Sequence, residues 1–332
     1  MTRVAVVGAT GVVGREMLAV LEQRAFPVGE LRLFASARSA GARVSAFGRE
    51  HEVRPAAPDG FRGVDLALFS AGSDAARALA PAARRAGALV VDNSSAFRLD
   101  PGTPLVVPEL NGDELARHAG LVANPNCSTI LLCLAVAPLH ARAELRRVVV
   151  CSYQAVSGAG ARAVEELREQ ERADLEGRTV EPRLFPKVLA HNVIPWVQGL
   201  LPDGYSVEET KVRDETRRIL RAPELPVAAT CVRVPVWRAH SEAVHAQLAR
   251  ALAPEEALAA LEAAPGVRAW REGFPTPREV AGTDEVHVGR VRRDRALEPG
   301  IALWGVMDQL RKGAALNAVQ IAERALGVGA RA

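Results

Sequence analysis

The 332-residue sequence predicts an α/β protein in two parts. The first is doubly wound on a parallel sheet, and the second is an α+β unit with a mainly antiparallel sheet. Three observations predict this. Short apolar strands alternate with amphipathic helices up to about residue 127, as a parallel sheet covered on both faces requires. A glycine-rich turn joins the first strand to the first helix. Beyond residue 127, strand-like and helical stretches no longer alternate in that regular way. The chain is long enough to bury two cores.

The elements follow in order. Residues 3–8 form an apolar strand that runs through Gly8-Ala9-Thr10-Gly11-Val12-Val13-Gly14 into a helix over 14–23. Strands at 30–35, 64–70 and 88–92 follow, with a helix at 74–86 between the last two. Leu121-Val122-Ala123 is a short strand stopped by Asn124-Pro125-Asn126. Ser128 and Thr129 open the next helix, and Pro138 is expected to close it. The second part has strands at 147–153, 231–236, 243–248 and 285–291, and helices at 161–173, 207–220 and 255–264. A final amphipathic helix over 313–326 can pack back on the first part. The expected domains are 1–127 joined by 313–327, and 128–312.

Lys and Arg number 42 against 39 Asp and Glu, a formal charge of +3. The arginines occur as scattered pairs such as Arg146-Arg147 and Arg217-Arg218, which gives nucleic-acid binding little support. Four cysteines without CxxC spacing argue against a disulfide framework or a structural zinc site, and suit a reducing cytoplasm. The first strand begins at about Thr2, leaving no room for a signal peptide. The longest apolar run, 130–137, is too short to span a bilayer. Cys133, Cys151 and Cys231 read as core. His245 lies five residues after His240 in strand-like sequence, not at a metal-binding helical spacing, so no metal is inferred. The remaining histidines have no partner pattern.

Gly8, Gly11 and Gly14 sit between a strand and a helix, where glycine permits a tight turn and close approach to a pyrophosphate. An NAD site usually ends its second strand in a carboxylate for the ribose 2′-hydroxyl. Here the strand ends Phe34-Ala35-Ser36-Ala37-Arg38-Ser39. Arg38 with Ser36 and Ser39 suits a 2′-phosphate, so the sequence reads as NADP-binding.

Cys127 lies at the mouth of the helix after 121–123. Helix amides and the positive dipole end stabilise a thiolate there. Position alone leaves two readings, a small buried hydrophobe or a nucleophile. Four further segments carry polar groups: Asn93-Ser94-Ser95-Ala96-Phe97-Arg98, Ser152 to Gly160, Glu208-Glu209-Thr210-Lys211, and Arg233 to Glu242.

With Asn126-Cys127-Ser128-Thr129 and the glycine turn, these segments closely resemble the bacterial type of aspartate-β-semialdehyde dehydrogenase, over nearly the whole chain to Asn317. The resemblance implies a Rossmann-like NADP domain, a catalytic and dimerisation domain, and at least a homodimer. It implies Cys127 as the nucleophile, His240 as general acid/base, a side chain whose unperturbed pKa lies near neutrality as proton shuttling needs, and Gln154 as the residue orienting the acyl intermediate. Arg233 is then the clamp on the substrate α-carboxylate and Glu208 the partner of its α-ammonium. Arg98, Lys211 and Asn126 hold the phosphate. Thr10 to Val13, Ser36, Arg38, Ser39, Ser157, Gly158 and Asn317 contact the cofactor. The implied substrate pair is L-aspartyl-4-phosphate and L-aspartate 4-semialdehyde, and all these side chains are expected to converge on the Cys127 sulfur. N-acetyl-γ-glutamyl-phosphate reductase is the nearest alternative, but its cysteine follows His-Pro-Gly, and Arg233 with Glu208 favours a free amino acid. A silent dinucleotide-binding relative would be expected to lose Cys127 or His240; both are present.

Overall fold

The computed structural model describes residues 1–328. They separate into two compact units: unit 1, Met1–Asn126 with the described residues from Ala314 on, and unit 2, Cys127–Gly313.

Unit 1 holds β1 (Thr2–Val7), α1 (Val12–Gln23), β2 (Val28–Ala35), β3 (Arg43–Ala46), β4 (Arg49–Pro55), β5 (Leu66–Phe69), α2 (Ser73–Arg85), β6 (Leu89–Asp92), α3 (Pro108–Asn111) and β7 (Leu121–Ala123). The strand order is β3-β4-β2-β1-β5-β6-β7. All neighbours run parallel except the β3–β4 hairpin. Alternate residues of β1 enter opposite cores, as strand periodicity requires. Val4 and Val6 face Met17 and Leu21 of α1 and Val319 and Ile321 of the last helix, Leu316–Leu326. Ala5 and Val7 face Phe61, Phe69 and the alanine stripe Ala76, Ala80 and Ala83 of α2. The hairpin was not anticipated; its residues are mostly polar and exposed, so no apolar period marks them.

Unit 2 holds α4 (Cys127–Ala143), β8 (Leu145–Gln154), α5 (Ala161–Leu175), α6 (Val207–Ile219), β9 (Val227–Arg233), β10 (His240–Leu248), α7 (Pro254–Glu262), β11 (Val267–Ala269), α8 (Pro277–Val280), β12 (Val286–Arg293) and β13 (Gly300–Met307). The order is β11-β12-β13-β10-β8-β9. β12–β13–β10–β8 pair antiparallel, while β11–β12 and β8–β9 are parallel, so the sheet is mixed. Pro138 does not end α4. The helix continues to Ala143 because Leu139 and Ala143 are buried beyond it, and that packing outweighs the lost backbone bond. Among the described residues no helix is long and apolar enough to cross a membrane.

One face of the unit 2 sheet carries α4, and its residues run in rows across the strands. At one end of the sheet Arg233 pairs with Gln154 and His240 with Met307, and the next row aligns Cys231, Ser152, Glu242 and Gly305. The opposite face is more open. Tyr153 and Trp304 lie there with ring centroids 5.5 Å apart.

Candidate active site

In unit 1 the turn after β1 is built by close approach. Gly8 has φ +90, and a Cβ on it would lie 2.8 Å from the Ser70 carbonyl oxygen. A Cβ on Gly14 would lie 2.2 Å from the Gly8 carbonyl oxygen, so helix and strand meet without room for a side chain. Gly11 precedes α1 and donates its N–H to the Gly8 carbonyl at 3.0 Å. Thr10, Gly11, Val12 and Val13 thus form the amide-rich start of a 12-residue helix with no acidic residue in its first turn. This fits a pyrophosphate. Ser36 leads into a short 3₁₀ turn, Ala37–Ser39, on which Ser36 and Arg38 are exposed, with no carboxylate among them. The donor set suits a 2′-phosphorylated dinucleotide.

The loop after β6 is tied by Asp92, which accepts from the Ser94 N–H at 3.0 Å and the Ser94 hydroxyl at 2.6 Å. Burial pushes the Asp92 carboxyl up, against the pull of those bonds and of Arg98. Arg98 is buried and donates through Nε to the Asn124 carbonyl (2.9 Å) and through Nη2 to the Asn93 carbonyl (2.7 Å). Asn317, also buried, donates to the Val106 carbonyl (2.9 Å) and to Asn124 Oδ1 (2.7 Å). Asn126 is buried at the end of this unit.

In unit 2, Cys127 is the first residue of α4, at half-buried depth. Ser128, next in the helix, accepts from Gln154 Nε2 at 2.9 Å; Gln154 also donates to the Ser152 hydroxyl at 3.2 Å. Arg233 Nη1 donates to the Ala155 carbonyl at 2.6 Å, and the Ala155 N–H donates to His240 Nδ1 at 3.0 Å. One residue therefore ties both side chains. Since Nδ1 accepts, a neutral ring carries its proton on Nε2. That nitrogen is buried and has no hydrogen-bond partner among the described residues. Its edge faces Gly158, where a Cβ would come within 3.2 Å of both Cε1 and Nε2.

Burial, and then the positive charge of Arg233, hold the His240 pKa well below its ordinary value. The ring thus departs from the unperturbed value near neutrality, because both effects disfavour the imidazolium. At neutral pH the ring is an uncharged N–H donor. Burial also pushes the Arg233 guanidinium down, opposed by the charges of Glu208 and of a Cys127 thiolate. Cys127 and Arg233 are thus within electrostatic reach of each other. A Cβ on Gly313 would lie 2.9 Å from the Cys127 Cβ, so glycine leaves the cysteine its space.

Glu208 and Lys211 lie one turn apart at the start of α6, 3.8 Å from each other. Gln198 bridges them, donating to Glu208 Oε2 at 3.1 Å and accepting from Lys211 Nζ at 2.6 Å. The neighbouring Glu209 is committed to structure: it accepts from the Ser206 N–H and the Cys231 N–H. Ser157 accepts from Gln309 Nε2 at 2.5 Å. Sequence reading missed Gln198 and Gln309, which lie in no motif that it singled out. Cys133 and Cys231 are buried core residues whose thiols burial pushes up, as anticipated, whereas Cys151 is only half-buried. Among the described residues no cluster of His, Cys, Asp and Glu could hold a metal ion.

Unit 2 thus combines a cysteine on a helix N-terminus, a neutral imidazole N–H, and a buried arginine. That set can form and stabilise an acyl-thioester. The family described as semialdehyde dehydrogenase, NAD binding domain, matches residues 3–118, and its dimerisation domain matches residues 136–312. The chain is 47% identical over 329 residues to the aspartate-semialdehyde dehydrogenase of Aquifex aeolicus, covering 97% of each chain. It is 46% identical to that of Bacillus subtilis, covering 96% of each. The crystal structure of aspartate semialdehyde dehydrogenase II from Vibrio cholerae superposes with a TM-score of 0.96 at 43% identity, over 98% of this chain and 99% of that one. Shared over nearly its full length in both sequence and fold, these matches make the chain a member of the aspartate-semialdehyde dehydrogenase family.

Proposed function

We propose that the chain catalyses the NADPH-dependent reductive dephosphorylation of L-aspartyl-4-phosphate to L-aspartate 4-semialdehyde, a step toward lysine, threonine, methionine and isoleucine. The observation that carries this is the bonding around the end of β8, where Ala155 holds both Arg233 and His240 and Gln154 donates to Ser128, the residue after Cys127. A related Vibrio cholerae structure, 42% identical, is described as complexed with ASA, which agrees with this substrate.

In this reading the Cys127 thiolate attacks the acyl carbon, and the carbon–oxygen bond to phosphate breaks with its electron pair leaving on phosphate. Arg98, Asn126 and Lys211 take that charge. NADPH, when bound, supplies the hydride that reduces the thioester. His240 donates its Nε2–H to the tetrahedral oxyanion, stabilising charge where it develops. Collapse of that oxyanion forms the aldehyde and returns the electron pair to sulfur as thiolate. Arg233 clamps the α-carboxylate with a planar fork, Glu208 meets the α-ammonium, and Gln154 orients the acyl group. Gly8, Thr10 to Val13, Ser36, Arg38, Ser39, Ser157, Gly158 and Asn317 serve the cofactor.

We also assign a homodimer, with the open sheet face bearing Tyr153 and Trp304 as the docking surface, and a cytoplasmic location, which four free cysteines suit. A monomeric mass by sedimentation equilibrium would refute the dimer. The activity is tested by phosphate-dependent reduction of NADP with aspartate semialdehyde. Wild-type turnover is expected, and Cys127→Ala is expected to abolish it. An inactive wild-type protein overturns the reading.

A further inference from the structure

Two turns hold the His240 ring, and one side chain joins them. Ala239, immediately before β10, has φ +73, a left-handed conformation that is strained for a non-glycine residue and persists only where its surroundings impose it. Its N–H donates to Gln309 Oε1 at 2.8 Å. The other end of the same amide, Nε2, donates to the Ser157 hydroxyl at 2.5 Å. Ser157 lies in the turn Val156–Ala159, next to the Ala155 N–H that fixes His240 Nδ1. Gln309 therefore spans the turn that sets the His240 backbone and the turn that sets its ring.

Gln309 is itself immobilised. It is buried, and it follows Asp308, whose Oδ1 accepts from the Leu310 and Arg311 N–H groups. Asp308 Oδ2 accepts from the Gly282 N–H and Arg238 Nε, each at 2.6 Å. The amide orientation is not ambiguous, because a backbone N–H only donates and so Oε1 faces Ala239. On the other side, a Cβ at Gly313 would lie 3.4 Å from the Gln309 Cβ and 2.9 Å from the Cys127 Cβ. The stem of Gln309 thus shares a neighbour with the nucleophile.

We propose that Gln309 is a positioning residue that locks His240 in its Nε2–H tautomer and aims that proton. The proposal rests on the role given to His240 above. Misplacing a reacting group by about 1 Å costs up to about 100-fold, and loss of an orienting partner costs about 10- to 100-fold.

The test is Gln309→Met, which keeps the volume and removes both hydrogen bonds. Expected are a kcat reduced about 10- to 100-fold, a KM for aspartate semialdehyde within about threefold, and a folded protein with a lowered thermal midpoint, because the buried Ala239 N–H loses its acceptor. In ¹⁵N-histidine spectra at pH 8.5, the wild-type His240 signal is expected as one Nε2–H tautomer and the variant as a mixture. A folded variant with kcat within twofold of wild type and an unchanged tautomer overturns the proposal. Should Gln309→Met fail to fold, Gln309→Glu carries the test. Its carboxylate accepts from both the Ala239 N–H and the Ser157 O–H, so the wild-type tautomer is expected, and its loss overturns the proposal. The spectra need no turnover. A wild-type protein inactive on aspartate semialdehyde would therefore refute the proposed reaction while this experiment still reads Gln309.

Discussion

Glu242 lies two residues beyond His240 on the same face of β10, fully buried between Ser152 and Gly305 of the adjoining strands. Neither carboxyl oxygen has a hydrogen-bond partner among the described residues. Burial pushes this carboxyl well above its ordinary value of 4.5. The folded chain therefore keeps a proton that the unfolded chain releases above pH 4.5. Because the native state binds more protons, stability falls as pH rises through this range. Each pH unit costs up to about 1.4 kcal/mol while the folded carboxyl stays protonated. Glu242→Gln keeps the shape and has no proton to release. The assay is urea denaturation of both proteins at one fixed concentration, from pH 5 to 8. The stability of the variant relative to wild type is expected to grow with pH, by up to about 1.4 kcal/mol per unit for as long as the folded carboxyl keeps its proton, with an unchanged dependence on urea. His240 contributes the opposite slope: its depressed folded pKa removes stability as pH falls below 6.5, but it does so in both proteins and cancels in the difference. A difference that stays flat with pH would show that Glu242 is ionised and paired in the folded chain, and would refute the reasoning.

Two further predictions concern the cofactor and the imidazole. Arg38→Ala is expected to weaken NADPH binding about 10- to 100-fold by fluorescence titration, the value of a charge-assisted contact, and to leave NADH nearly unchanged. Equal weakening of both would remove Arg38 from the 2′-phosphate. Gly158→Ala places a methyl group 3.2 Å from His240 Cε1 and Nε2, against a ring already pinned at Nδ1. A loss of about tenfold or more in kcat is expected from the displaced ring; an unchanged kcat would mean that the ring has room to move.

The parts of the fold that were legible in the sequence are those where burial is periodic. β1 and α1 announce themselves through apolar spacing and Gly8, Gly11 and Gly14. β13 was missed: Ile301 to Val306 is nearly continuous apolar sequence, as befits a strand flanked on both sides, and it carries no alternation to read. The extension of α4 past Pro138 was missed because only tertiary packing of Leu139 and Ala143 sustains it. In the site, Cys127, Arg233 and His240 stand in motifs whose chemistry shows in the residue types. The protonation state of His240 did not show, since it depends on burial and on Arg233 reaching it from another strand. Gln198 and Gln309 are uncharged amides whose work depends wholly on which turns the fold brings to them.

The row of Arg233, Gln154 and His240 has a consequence for substrate length. Each residue comes from a different adjacent strand, two parallel and one antiparallel, so their backbones are separated by the ladder spacing of about 4.8 Å per strand. That spacing is a fixed ruler. It does not stretch by the roughly 1.3 Å that one more methylene adds along an extended chain, and a register slip would turn every side chain to the far face. On the roles proposed above, an acyl phosphate of four carbons and its five-carbon homologue are told apart by the length of the Arg233 arm and by where α4 places Cys127, while the strand spacing stays constant. Redesign for the longer substrate calls for shortening the arm at 233 or moving its guanidinium, while the sheet beneath stays as it is.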